Sequence, residues 1–206
     1  MARLKQIRGI IMSKLDQEYI KGVINSSIDV KQKLLNSPQV IDTINKLVYK
    51  SLEALNSGGK IIFAGNGGSF GDAQHLSAEF TSRFLFDRAP LASIALGTNS
   101  SSMSAIGNDY GYENVFSREL EAVGNDNDIF IPITTSGNSK NIIEAINIAI
   151  VKDIKTIGLT GFNDALINNL CECICVPSKD TGRIQECHIL IGHIFCGMVE
   201  KMYFNK

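Results

Sequence analysis

The chain has no excess of charge of either sign. Its 20 basic and 21 acidic residues leave a formal charge of −1, which gives no general electrostatic reason to bind nucleic acid or an anionic membrane. A small molecule or another protein is the expected partner. No apolar run approaches the roughly 18 residues of a membrane span. The opening stretch MARLKQIRGIIM carries Arg3, Lys5 and Arg8, but its apolar run is too short for a signal peptide and no small-residue cleavage site follows. Met12 is an alternative start to Met1. A disulfide framework is missing too, because the five cysteines are odd in number and three are crowded into Cys171-Glu172-Cys173-Ile174-Cys175. That usage fits a reducing cytoplasm. Alternation puts these three on one face of a strand, unlike the two-residue gaps of zinc-binding cysteine pairs. The expectation is a buried apolar face, with Cys187 and Cys196 in the core as well. There is no internal repeat, low-complexity tract or linker, and 206 residues with 44% hydrophobic content suit one folding unit.

Apolar residues recur with helical period from about Ser13 to Leu35 (Leu15, Tyr19, Ile20, Val23, Ile24, Ile28, Leu34, Leu35), which predicts an amphipathic first helix. Ser37-Pro38 opens a second, which Gly58-Gly59 stops. Beyond it, short apolar runs at 60–64, 91–96, 128–133, 156–159 and 173–176 read as strands. Helical patterns fill the gaps at 100–106, 113–123, 141–151, 165–170 and 183–204. Alternating strands and helices imply a three-layer αβα sandwich on a five-stranded parallel sheet, with ligands at the carboxyl ends of the strands.

Histidine is scarce, and its placement is informative. The only three are His75, His188 and His193, and they fall in two segments, Ala64–Glu79 and Arg183–His193. In the first, Gly65-Asn66-Gly67-Gly68-Ser69 joins a strand to a helix start, where unpaired N–H groups and the helix dipole favour an anion. A phosphate, a hydroxyl-rich ligand or only a tight capped turn fits there. Thr134-Thr135-Ser136-Gly137-Asn138-Ser139 repeats the logic with four hydroxyls and few charges, which suits a sugar phosphate. His75 and Glu79 at i, i+4 share a helical face as a metal-binding pair, a base with its orienting partner, or a plain surface pair. Gln185 and His193 are separated by about 12 Å of helical rise, large for ligands of one metal unless long side chains bracket it or two subunits contribute. His188 lies about 140° around the axis from His193 and is assigned a supporting or core role.

Taken in order, GNGGS, DAQH with AE, AIGNDYG, FSRELEAVG, TSGNS and RIQE with two histidines resemble the phosphoheptose isomerases of the sugar isomerase (SIS) family. The likeness runs from about Gly58 to the C-terminus. It implies a single SIS domain over residues 1–206, with helices at 13–57 and a flavodoxin-like α/β core at 58–206. It also implies a cytoplasmic homotetramer with active sites at subunit interfaces, bound to neither nucleic acid nor membrane. The implied reaction is isomerisation of sedoheptulose 7-phosphate to D-glycero-D-manno-heptose 7-phosphate, the first step towards nucleotide-activated heptose for lipopolysaccharide or capsule. By matching motif, Asn66, Gly67, Gly68, Asn108 and Asp109 contact substrate, and Thr134, Thr135, Ser136, Ser139 and Ser69 hold its phosphate. His75, Glu79, Gln185 and His193 match the zinc ligands, while Glu79 and His193 match the proton-transfer pair. Glu79 and Gln185 thereby also face the substrate. Thr134 stands where Ser is usual, Ser82-Arg83-Phe84 where Gly-Arg-Tyr is usual, and Phe70-Gly71 fills a variable pair. The alternative is a non-catalytic SIS tetramer that binds a replication initiator or senses a sugar phosphate. The replication-associated branch lacks the Glu after DAQH and the final His, and both are present here as Glu79 and His193, which favours the enzyme. A different aldose–ketose phosphate isomerase would keep both loops.

Overall fold

The structure is a computed structural model that describes residues 2–162 and 164–205, with side chains from residue 16 onward. Leu15 therefore lies outside the described side chains. Among the described residues seven α-helices and five strands follow one another as α1 (Ala2–Leu35), α2 (Pro38–Asn56), β1 (Ile61–Gly65), α3 (Gly68–Thr81), β2 (Ser93–Ala95), α4 (Ser100–Tyr110), α5 (Val115–Val123), β3 (Ile129–Thr134), α6 (Lys140–Val151), β4 (Lys155–Thr160), β5 (Glu172–Cys175) and α7 (Thr181–Tyr203). The strands form one parallel sheet in the order β2-β1-β3-β4-β5. Chain direction across the sheet reverses between β1 and β3, the crevice where ligands of doubly wound folds bind.

The central strands read as unbroken apolar runs because helices cover both faces. Ile61, Phe63, Ile129, Ile131 and Ile133 pack with residues of α1, α2, α3 and α7. Ile62, Ala64 and Phe130 pack on the opposite side with α5 and α6. Ile61–Gly65 pairs without interruption with Ile129–Ile133. The β3–β4 register matches Ile129 and Phe130 to Lys155 and Thr156, then resumes at Ile133 with Leu159. The break contains Pro132, which has no N–H to give to a ladder.

Three expectations need correction. The first helix begins at Ala2, not near Ser13. Only its C-terminal part packs on this chain's core: Val30 and Leu34 are buried, whereas Tyr19 (75%), Ile20 (55%), Ile24 (53%) and Ile28 (55%) are exposed. The segment 165–170 forms only a 3-10 turn, Leu166–Asn169, held by bonds from Ile167 N to the Gly137 carbonyl and from Leu166 N to Asn138 Oδ1. Finally, Cys171, Cys173 and Cys175 are half-buried rather than buried. β5 is an edge strand, Ile174 takes the inward position, and the short 3-10 turn packs near the cysteines, beside open clefts that residues of α2 also line.

Candidate active site

β1 and β3 end side by side, Gly65 opposite Ile133, so the loops that follow them open into the same crevice. Gly67 caps α3 with φ +56°, a left-handed conformation that glycine adopts without a Cβ penalty. The crevice between the two loops is closed by a reciprocal amide pair. Asn66 Nδ2 donates to Asn141 Oδ1 (2.8 Å), Asn141 Nδ2 returns a bond to Asn66 Oδ1 (2.9 Å), and the Tyr112 hydroxyl adds a third at 3.2 Å. The hydroxyl loop is knitted internally: Thr134 Oγ1 lies 3.3 Å from Ser139 Oγ and 3.5 Å from Ser136 Oγ, and accepts from Gly137 N at 3.2 Å. Thr135 and Ser136 line a cleft that also meets Phe162, Ser178, Lys179 and Ile184.

The helical spacing of His75 and Glu79 brings them together, and α7 supplies the third group. His75 Nε2 lies 2.9 Å from His193 Nε2 and 3.2 Å from Glu79 Oε1. One donor atom from each of the three lies within 4.8 Å of the others. Two imidazole nitrogens and a carboxylate oxygen cannot all be satisfied by their own protons at such range, and they make a donor set that suits zinc. Nearby, Asp72 Oδ2 is buried with no hydrogen-bond partner, an orphaned acceptor that a cation would also favour. The residues present therefore fit the metal that the family resemblance implies.

Gln185 does not join the three donors directly. Its amide bonds to Asp72 and takes the space that a Cβ at Gly68 would occupy. Asp72 links the two halves, because it bonds Gln185 and feels the charges of His75 and His193. Burial pushes its carboxyl above the ordinary range against the pull of all three. Sequence reading missed Asp72, although it precedes His75 by three residues and shares its helical face. Ser69 is buried at the start of α3, beneath Gly65. Asn108 donates to Asp109 (2.7 Å) at the exposed end of α4, and among the described residues neither bonds to another candidate group. His188 is fully buried, its Nε2–H donating to the Thr160 carbonyl at 3.1 Å, and burial pushes its value down to about 4.

Comparison with known proteins identifies the family. The family model for the SIS domain matches residues 28–161. The phosphoheptose isomerase of Aneurinibacillus thermoaerophilus is 52% identical over 92% of this chain and 96% of its own. Phosphoheptose isomerase 2 of Campylobacter jejuni subsp. jejuni is 51% identical over 91% and 94%. Among solved structures, a phosphoheptose isomerase from Francisella tularensis superposes with a TM-score of 0.85 at 34% identity, covering 90% of this chain and 98% of the other.

Proposed function

Because the chain belongs to the SIS-domain family and, within it, to the phosphoheptose isomerases, we propose that it converts sedoheptulose 7-phosphate to D-glycero-D-manno-heptose 7-phosphate. The observation that carries this reading is the convergence of His75, Glu79 and His193 near the mouth of the β1–β3 crevice. Moving a carbonyl from C2 to C1 adds and removes no atoms. A base takes a proton from C1, the C1–C2 double bond forms as the C2 oxygen gains negative charge, and protons return at O2 and C2 while O1 loses its own. Glu79 is the base in this scheme, and its half-buried carboxylate (20% exposed) faces His193, the acid. Asn66, Gly67, Gly68, Asn108 and Asp109 engage the sugar. Thr134, Thr135, Ser136 and Ser139, with Ser69 behind them, hold the phosphate through hydroxyls and the α6 N-terminus. His75, Glu79, Gln185 and His193 would hold zinc, which when bound supplies electrophilic stabilisation of the developing oxyanion. Glu79 then serves both as ligand and as base.

We read residues 1–206 as one SIS domain, with an N-terminal helical segment that begins at Ala2 rather than at residue 13 and an α/β core over 58–206. The exposed apolar face of α1, and α4 without a single buried residue, support a homotetramer whose sites lie at subunit interfaces. Among the described residues no helix is long and apolar enough to cross a membrane, which suits a cytoplasmic enzyme of lipopolysaccharide or capsule heptose synthesis. The test is proton NMR of aldose formation from sedoheptulose 7-phosphate, with and without chelator, in wild type and Glu79→Gln. Turnover that falls with chelation and vanishes in the variant supports the assignment. Metal-replete wild type that leaves the ketose unchanged sinks it and turns attention to a binding role.

A further inference from the structure

The segment between α3 and β2 has no regular structure, yet it is among the most firmly tied parts of the molecule. The Arg88 side chain is 2% exposed and that of Glu200, on α7, fully buried. Arg88 Nε donates to Glu200 Oε1 at 2.9 Å. Its Nη1 donates to the carbonyls of Phe80 (2.7 Å), Ser82 (2.9 Å) and Ala89 (3.1 Å), and its Nη2 to that of Glu79 (2.6 Å). Several of these carbonyls are the orphans that a helix C-terminus leaves, where a cation also suits the dipole. One guanidinium therefore fixes the end of α3 at the residue that carries the proposed base. Glu200 accepts in addition from the backbone N–H groups of Phe84 (2.9 Å) and Leu85 (2.7 Å).

Those two bonds settle where Phe84 lies. Its ring stacks on the His193 imidazole, with centroids 5.5 Å apart and planes 17° from parallel. Gly197, one turn beyond His193, makes room: a Cβ there would meet Leu85 Cδ1 at 3.2 Å and Phe84 Cε1 at 3.4 Å. A flat ring over one imidazole face restricts rotation of that imidazole and keeps water off the face, while the Nε2 edge points to His75. We propose that Phe84, locked in place by the Arg88–Glu200 pair, is a positioning residue that orients His193 for zinc and for proton transfer. The proton-transfer half of this statement rests on the reaction proposed above.

Phe84→Leu removes the flat ring while keeping an apolar side chain, and Phe84→Tyr keeps the ring. Two quantities are measured: steady-state kcat and KM with sedoheptulose 7-phosphate, and zinc affinity by competition with a chromophoric chelator. Phe84→Leu is expected to lower kcat about tenfold, with KM within about twofold, and to weaken zinc about tenfold. Phe84→Tyr restores both. Wild-type kcat and zinc affinity in a folded Phe84→Leu overturn the inference, as does a change in KM alone, which would make Phe84 a substrate contact. An inactive wild type refutes the proposed reaction and leaves the zinc measurement to decide whether Phe84 orients His193.

Discussion

Replacing Gly68 by alanine separates folding from chemistry. A Cβ at this position would stand 2.6 Å from Gln185 Cδ and 2.8 Å from its Oε1, so the amide has to swing away. It is the far end of a flexible side chain, and Gly68 has no left-handed φ, so the main chain can stay where it is. The swing breaks the hydrogen bond between Gln185 and Asp72. A hydrogen bond to a charged group is worth about 1.5–3 kcal/mol, while alanine in the first helical turn recovers about 0.5–1 kcal/mol of backbone entropy. The net loss is about 1–2 kcal/mol, a fall in Tm of about 2–8 °C for a chain of this size. Zinc affinity is expected to fall further, by about 10–100-fold, the usual effect of disturbing the surroundings of a ligand. Turnover should fall with it. Thermal melting, a zinc competition titration and the isomerase assay check the three numbers. A folded Gly68→Ala with unchanged zinc affinity and turnover would refute the importance of the Gln185 position. Failure to fold would refute the argument that a side-chain swing relieves the overlap.

Glu200→Gln removes one charge from a fully buried pair, which costs about 3–5 kcal/mol and should lower Tm by about 6–20 °C; a shift within about 2 °C contradicts the strut. Burial works against the charged form of Glu200, but the N–H groups of Leu85 and Phe84 and the Arg88 guanidinium outweigh it and hold the carboxyl below the ordinary value. Its stabilisation is therefore present above the unfolded glutamate value and lost as pH falls through the folded one, so the variant should show a flatter acid limb. His188 runs to the same side for a different reason: folded it titrates at about 4, against 6.5 in the open chain, so the unfolded state takes the proton first. Stability should fall by up to about 3 kcal/mol between those limits as pH drops. Urea midpoints at two pH values in wild type and His188→Gln test this, and equal pH dependence would refute it. Cys187 and Cys196 are buried, and burial pushes both thiols up. Of the three half-buried cysteines, the contact with Cys173 lowers Cys171, while Cys173 and Cys175 are raised, so maleimide should modify Cys171 first in the native protein and reach Cys187 and Cys196 only on unfolding. Native labelling of Cys196, detected by peptide mass, would count against the packing of α7.

The strands and the glycine-rich and hydroxyl-rich loops are legible because each is a local pattern: an apolar run, a cluster of glycines or hydroxyls, then helical periodicity. His75 and Glu79 were legible for the same reason. Gln185 and His193 lie about 12 Å apart along α7, and the fold keeps them apart: α7 runs alongside α3, and each meets a different part of it. Gln185 then meets Gly68 and Asp72 near the start of α3, and His193 meets His75 two turns later. Nothing in the sequence announces Arg88 and Glu200, whose partnership spans 112 residues and depends on the path of an irregular segment. The apolar period of α1 is legible as a face, and Tyr19, Ile20, Ile24 and Ile28 on it are exposed. Periodicity identifies a face and says nothing of what covers it.

The gap in pairing beside Pro132 has a consequence for how the two loops come to face each other. A slip of β3 by one residue would turn its side chains to the opposite faces and aim the proline nitrogen at β1, where the ladder is unbroken. The slipped sheet would forfeit a bond that the native sheet never had to make. Pro132 thus acts as an index mark on the central strand. The hydroxyl loop begins within two residues of it, so the offset between that loop and the glycine-rich loop after β1 is set by strand register, in steps of about 3.3 Å.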